Sequence, residues 1–154
     1  MKKIDIAAVP EASGCRYPAQ FAAPCRDRRW RRLGDAAGLT QFGVNLVRLA
    51  PGVWSGLRHW HSHEDEFVYV LEGELTLCTD SGEETMRPGD CAGFKAGIRD
   101  GHCLQNRGTA VAVLLVVGSR NDADHGEYPD LDLKFAAGRY TDGGGYLHKD
   151  GTPY

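Results

Sequence analysis

His59-Trp60-His61-Ser62-His63-Glu64-Asp65-Glu66-Phe67-Val68-Tyr69-Val70-Leu71-Glu72-Gly73 carries three histidines at alternate positions, then a carboxylate, then an alternating apolar run closed by glycine. In extended backbone, residues two apart project to the same face. The spacing therefore predicts a strand over 55–61 with His59 and His61 side by side, and a second strand headed by Glu66. On that second strand Glu66, Val68 and Val70 share one face, and Phe67, Tyr69 and Leu71 share the other. Both faces are largely apolar, which predicts cover on both sides. Glu66 then points inward beside valines, where an unpaired carboxylate costs several kcal/mol and a cation is expected. Two imidazoles and a carboxylate suit a divalent metal, and His102 offers a further imidazole from far downstream.

Working outward, short runs over 41–49, 66–71, 74–79, 91–94, 102–105 and 110–117 also read as strands, separated by turn signals such as Ala50-Pro51-Gly52, Asp80-Ser81-Gly82 and Pro88-Gly89-Asp90. Twenty glycines and seven prolines punctuate the chain, and helical periodicity is nowhere convincing. An all-β sandwich or barrel follows. A length of 154 residues fits one domain. Its core is expected over about residues 40–120, with an N-terminal arm over 1–39 and a C-terminal arm over 121–154. Within the latter, Tyr128 to Lys134 reads as one strand.

Charged residues make up 25% and nearly balance, for a net charge of −3, which gives no electrostatic case for nucleic acid or an anionic membrane. The basic run Arg26, Arg28, Arg29, Arg31 and Arg32 reads as a solvated turn or salt-bridged arm rather than a phosphate site. Met1 to Pro10 has no apolar stretch of signal-peptide length, and no window approaches the ~18 apolar residues of a membrane span. Five cysteines, odd in number and without a CxxC pair, predict reduced thiols and a cytoplasmic protein. Cys78 and Cys91 are expected as small buried hydrophobes.

With these residues in view, the chain resembles the cupin superfamily. His59-x-His61, four residues, Glu66, six residues and Gly73 match that family's first motif, and Gly52 stands one residue further from His59 than its opening glycine usually does. The second motif runs from Gly89 through Gly97 and His102 to Asn106. Lys95 stands where the family usually has proline, and two extra residues separate Gly97 from His102, so the loop at the pocket mouth departs from the pattern. The resemblance implies a double-stranded β-helix, or jelly-roll barrel, with one metal ion bound by His59, His61, Glu66 and His102. Fe, Mn, Ni, Zn or Cu would all accept this set. A rival set of His61, His63 and Glu66 leaves too short a spacing for the usual turn, so His63 reads as a turn residue or a support for a ligand. His125 and His148 read as surface positions.

The fold hosts many reactions, so it does not name one. The resemblance implies a metal-dependent enzyme on a small polar molecule, of dioxygenase type or other. The alternatives are a sugar or sugar-phosphate isomerase, and a non-catalytic ligand-binding or sensing protein. No helix-turn-helix precedes the barrel. Lys95 and Arg99 are the candidates for a phosphate site at the mouth but read rather as solvated loop charges, and Cys103, opposite in parity to His102, is a poor nucleophile. The outer face of Phe67, Tyr69 and Leu71 predicts a homodimer. Metal affinity, and stability with it, is expected to fall as pH drops through roughly 6 to 5, with much less loss in metal-free protein.

Overall fold

The computed structural model describes residues 3–141 and 143–154. Its strands are β1 (Glu11–Ser13), β2 (Arg29–Arg32), β3 (Phe42–Leu49), β4 (Glu66–Glu72), β5 (Leu75–Thr79), β6 (Gly82–Met86), β7 (Cys91–Phe94), β8 (Cys103–Gln105), β9 (Ala112–Ser119), β10 (Gly126–Tyr128), β11 (Leu133–Phe135) and β12 (Tyr146–Leu147). All strand pairs are antiparallel. They form a six-stranded sheet in the order β1-β2-β3-β9-β4-β7 and a three-stranded sheet in the order β6-β5-β8. A third small sheet, β10-β11-β12, is built by the C-terminal arm. This is a jelly-roll arrangement, as the family resemblance implies, and it meets the all-β expectation from the alternating patterns.

The alternation on β4 sorts its side chains as expected. Val68 and Val70 are buried, whereas Phe67, Tyr69 and Leu71 are 42%, 38% and 38% exposed, so this chain alone leaves the outer face uncovered. The inward residues of β3, β4 and β9 meet Leu75, Leu77, Met86 and Leu104 of the smaller sheet and its connections in one apolar core. A second cluster, with Cys25, Leu57, Tyr128, Leu133 and Phe135 at its centre, seats the C-terminal arm against the N-terminal one.

Motif residues outside the metal set prove architectural. Gly73 has φ +77°, and a Cβ there would meet backbone atoms of Val111 and Ala112 at 2.8 Å, so only glycine fits. Asn106 is buried; its Nδ2 donates to the Leu49 and Ala110 carbonyls at 2.7 and 2.8 Å, and its Oδ1 accepts from the Gly108 amide at 3.0 Å. It ties the end of β3 to the loop after β8.

Several expectations need correction. Residues 55–61 are not a strand, because their backbone bonds are divided among several separate segments. The His59 and His102 amides exchange bonds with each other's carbonyls at 3.1 and 2.9 Å, while the Trp60 and Ser62 amides donate to Glu127 and His125 of the arm. Tyr128 to Lys134 is two strands rather than one, with Pro129 and Asp130 in the turn between β10 and β11; proline cannot donate to a ladder. The arginine run is salt-bridged as expected, Arg29 and Arg31 lying 3.5 and 3.6 Å from the Glu11 carboxylate, but it contains β2, an inner strand of the large sheet, rather than a turn. Cys78 is buried as expected, but Cys91 is exposed, opposite Tyr69. The strand β6 was hidden by its polarity: Gly82, Glu83, Glu84 and Thr85 are exposed, and only Met86 is buried, as suits a charged sheet edge.

Candidate metal centre

Motif and topology place Glu66 at the start of β4, with His59 and His61 on the segment before it and His102 just before β8. The reciprocal backbone bonds between His59 and His102 bring the two motifs together. His59 and His61 have ring centroids 4.9 Å apart, and His59 and His102 are 5.1 Å apart. One donor atom from each of His59, His61 and Glu66 lies within 4.8 Å of the others. His102 stands outside that compact trio, yet its Nε2 is 3.0 Å from Glu66 Oε2.

Neighbouring acceptors prepare two of the imidazoles. His59 Nδ1 lies 2.7 Å from the Leu57 carbonyl, so Nδ1–H donates and Nε2 keeps its lone pair. His61 Nδ1 lies 2.6 Å from Asp124 Oδ2, which leaves its Nε2 free in the same way. His102 is different: its Nδ1 is buried without a hydrogen-bond partner among the described residues, and its ring stacks on Phe94 at 3.5 Å. Nε2 is the His102 nitrogen that faces Glu66, so to serve as a ligand it would have to carry its lone pair there and its proton on Nδ1.

Electrostatics favour a cation here. Burial, followed by the neighbouring His61 and His102, pushes His59 down to about 3, so its imidazole is neutral at ordinary pH. Burial opposes the charge on Glu66, but the hydrogen bond and charge of His102, with His59 and His61, hold its carboxyl down at about 2. A neutral His59, with further imidazoles converging on an ionised carboxylate, is a donor set that fits a divalent metal.

A cavity of about 260 Å³ opens beside these residues, lined by Trp60, His61, Glu64, Gly93, Phe94, Lys95, Ile98, Asp100 and His102. Sites for drug-sized ligands begin near ~300 Å³, so this one suits a small molecule. Lys95 reaches the cavity wall; Arg99 instead lies over the Trp60 ring, 5.2 Å from its centroid.

His63 is exposed and points away, its Nδ1 2.8 Å from Ser62 Oγ, while its backbone amide donates to Asp124 Oδ1 at 2.9 Å. His125 is exposed, and His148 pairs with Asp132 at 2.7 Å, remote from the trio. Sequence reasoning placed a C-terminal arm over 121–154 but missed its part in the site. Its Tyr128 ring stacks on His59 at 5.7 Å, Phe135 packs on His61 at 5.2 Å, and Asp124 is fully buried behind His61. The aromatic residues beside turn-forming Pro129 were the available signal. Asp124, some sixty positions from its partner, offered none.

A jelly roll with histidines and a glutamate gathered at one end defines a class of small β proteins equipped to hold a metal. The chain belongs to the cupin superfamily: the family described as Cupin domain matches residues 45–118, covering both motifs. Among solved structures, it is similar to a cupin-superfamily sugar phosphate isomerase from Silicibacter pomeroyi, at 45% identity and TM-score 0.94, covering 99% of this chain and 96% of that one. It is also similar to a presumed sugar phosphate isomerase from Acidithiobacillus ferrooxidans, at 32% identity and TM-score 0.74, covering 83% and 80%. A polyketide cyclase from Streptomyces resistomycificus shares the fold at 24% identity and TM-score 0.63, covering 77% and 79%. No curated protein matches the chain. Among the described residues, no helix is long and apolar enough to cross a membrane.

Proposed function

We propose that this cupin is a metal-dependent enzyme that holds one divalent ion through His59, His61, Glu66 and His102 and acts on a small polar molecule admitted by the adjoining cavity. The observation that carries this reading is the convergence of His59, His61 and Glu66 donor atoms within 4.8 Å, with His102 Nε2 hydrogen-bonded to Glu66 at 3.0 Å. When bound, the ion supplies Lewis-acid polarisation of a substrate oxygen. The protein's part is to keep His59 and His61 in the Nδ1–H form, to pack His102 against Phe94, and to wall the site with Trp60.

The test is metal analysis of protein purified without added ions, followed by titration with Zn²⁺, Mn²⁺ and Fe²⁺. His102→Ala should weaken binding sharply, and His63→Ala should leave stoichiometry at one ion. Equal loss in both variants would overturn this choice of ligands.

A second reading, a sugar or sugar-phosphate isomerase, is favoured by the activity named for the two neighbours above 30% identity and by Lys95 on the cavity wall, a cation suited to a phosphate. Isomerisation also needs a base; of the two carboxylates lining the cavity, Glu64 is held by the Asn121 amide and Arg139, which leaves Asp100. Metal-loaded protein assayed on aldose and ketose phosphates, alongside oxygen consumption, separates isomerase from oxygenase. Tight metal binding with no turnover in either assay returns the non-catalytic binding protein.

The outer face of β4 supports pairing of two copies. Phe67, Tyr69 and Leu71 stand beside Leu115 and Val117 of β9, an apolar strip that a partner would cover.

A further inference from the structure

His61, Glu64 and Asp124 form a second cluster of potential donors, all three buried. It resembles a metal site until its partners are counted. Glu64 Oε1 accepts from the Asn121 amide at 2.8 Å, and Oε2 lies 3.0 Å from Arg139 Nη2. Asp124 Oδ1 accepts from the His63 amide at 2.9 Å and Ser62 Oγ at 3.3 Å; Oδ2 takes His61 Nδ1 at 2.6 Å, with Arg139 Nη1 at 3.8 Å. Every carboxylate oxygen is engaged, and the one guanidinium offers its positive charge to both carboxylates, nearer to Glu64 than to Asp124.

We propose that this cluster is the metal centre's positioning layer: Asp124, held by the His63 amide and flanked by Arg139, fixes the proton of His61 on Nδ1 and thereby presents Nε2 to the ion. The inference rests on the metal reading above. An ionised carboxylate only accepts hydrogen bonds, so a neutral imidazole 2.6 Å away must carry its single proton on the facing nitrogen. Burial works against the charge on Asp124, but the hydrogen bonds from His61 and the His63 amide, together with Arg139, hold its carboxyl below the usual range. Carboxylates behind metal-bound histidines orient the ring and raise its basicity, and their loss typically weakens metal affinity 10–100-fold.

The arm that brings Asp124 docks by a contact only glycine permits. A Cβ on Gly126 would lie 1.9 Å from the Trp60 carbonyl, and the His125 and Glu127 carbonyls on either side accept from Ser62 and Trp60. Asp124 and Arg139 lie beyond the residues matched by the family, 45–118, so a segment outside the barrel motifs controls a barrel ligand.

The experiment has two arms. Side-chain ¹⁵N NMR of metal-free wild type, with His61 assigned by its loss in His61→Gln, should show Nδ1 protonated and Nε2 bare; Nε2–H would overturn the proposal. Zn²⁺ affinity, measured by chelator competition, should fall about 10–100-fold in Asp124→Asn. It should stay unchanged in Asp132→Asn, which alters a like carboxylate–histidine pair, with His148, in the same arm. Asp124→Asn with wild-type affinity and an unchanged His61 tautomer would also overturn the proposal. Wild type that binds no Zn²⁺ defeats the metal reading instead, and the tautomer then decides the role of Asp124 alone. Should Asp124→Asn not fold, the wild-type spectrum still decides.

Discussion

Acidifying the metal-free protein tests the buried state of His59 directly. Its imidazole titrates near 6.5 in an unfolded chain and at about 3 in the folded one. Between those values the unfolded state holds a proton the folded state refuses, so stability is full above pH 6.5 and is lost as pH falls toward 3. At ~1.4 kcal/mol per pH unit, moving from pH 7 to pH 5 removes about 2 kcal/mol through this one group. Glu66 adds little in that range, because its stabilisation is present above 4.5 and is lost only as pH falls toward about 2. With a urea m-value of ~1–3 kcal/mol/M, the midpoint should drop by roughly 1 M. The assay is urea unfolding of chelator-treated wild type and His59→Gln at both pH values. The difference between the two proteins' pH responses isolates His59. Equal midpoint shifts in both would refute the buried-neutral assignment. A drop of that size would make the metal-free protein acid-sensitive in its own right, whereas the sequence-based expectation assigns most of the loss to bound metal; the urea midpoints decide between them.

Other expected outcomes follow from the packing. Gly73→Ala should cost at least ~1–3 kcal/mol, because it strains a left-handed residue and overpacks against Ala112; thermal melting checks it. Asn106→Ala leaves the Leu49 and Ala110 carbonyls without this donor and should cost about 2–4 kcal/mol in urea unfolding, with metal stoichiometry unchanged. Light scattering at micromolar concentration should give a dimer mass for wild type and a monomer for Tyr69→Lys, since a charge on that face disfavours apposition. A wild-type mass near the 16.8 kDa of one chain would reject the dimer.

The parts of the molecule that were legible in the sequence are those governed by local rules. Strand parity placed Val68 and Val70 inside and Phe67, Tyr69 and Leu71 outside, because each position reports its own face. Glycine and proline turn signals bounded most of the core strands for a similar reason. His59 and His61 do meet, although the regular strand expected to align them is absent. What was illegible depends on distant partners. Nothing near Asp124 announces that it will lie against His61, and nothing in the polar run of β6 distinguishes an edge strand from a loop. The arginine run was legible in charge but not in conformation: Arg29–Arg32 became a strand because β3 offered an open edge on that side.

The paired backbone bonds between His59 and His102 also bear on how the protein folds. They join positions more than forty residues apart, and Asp124 reaches His61 over more than sixty. Closing loops of that length belongs to the same non-local assembly that pairs β3 with β9. The donor set therefore comes together only when most of the chain is already in place, leaving little for an ion to organise in the early stages. An ion bound there would slow escape from the native state far more than it would hasten arrival, acting as a brake on unfolding.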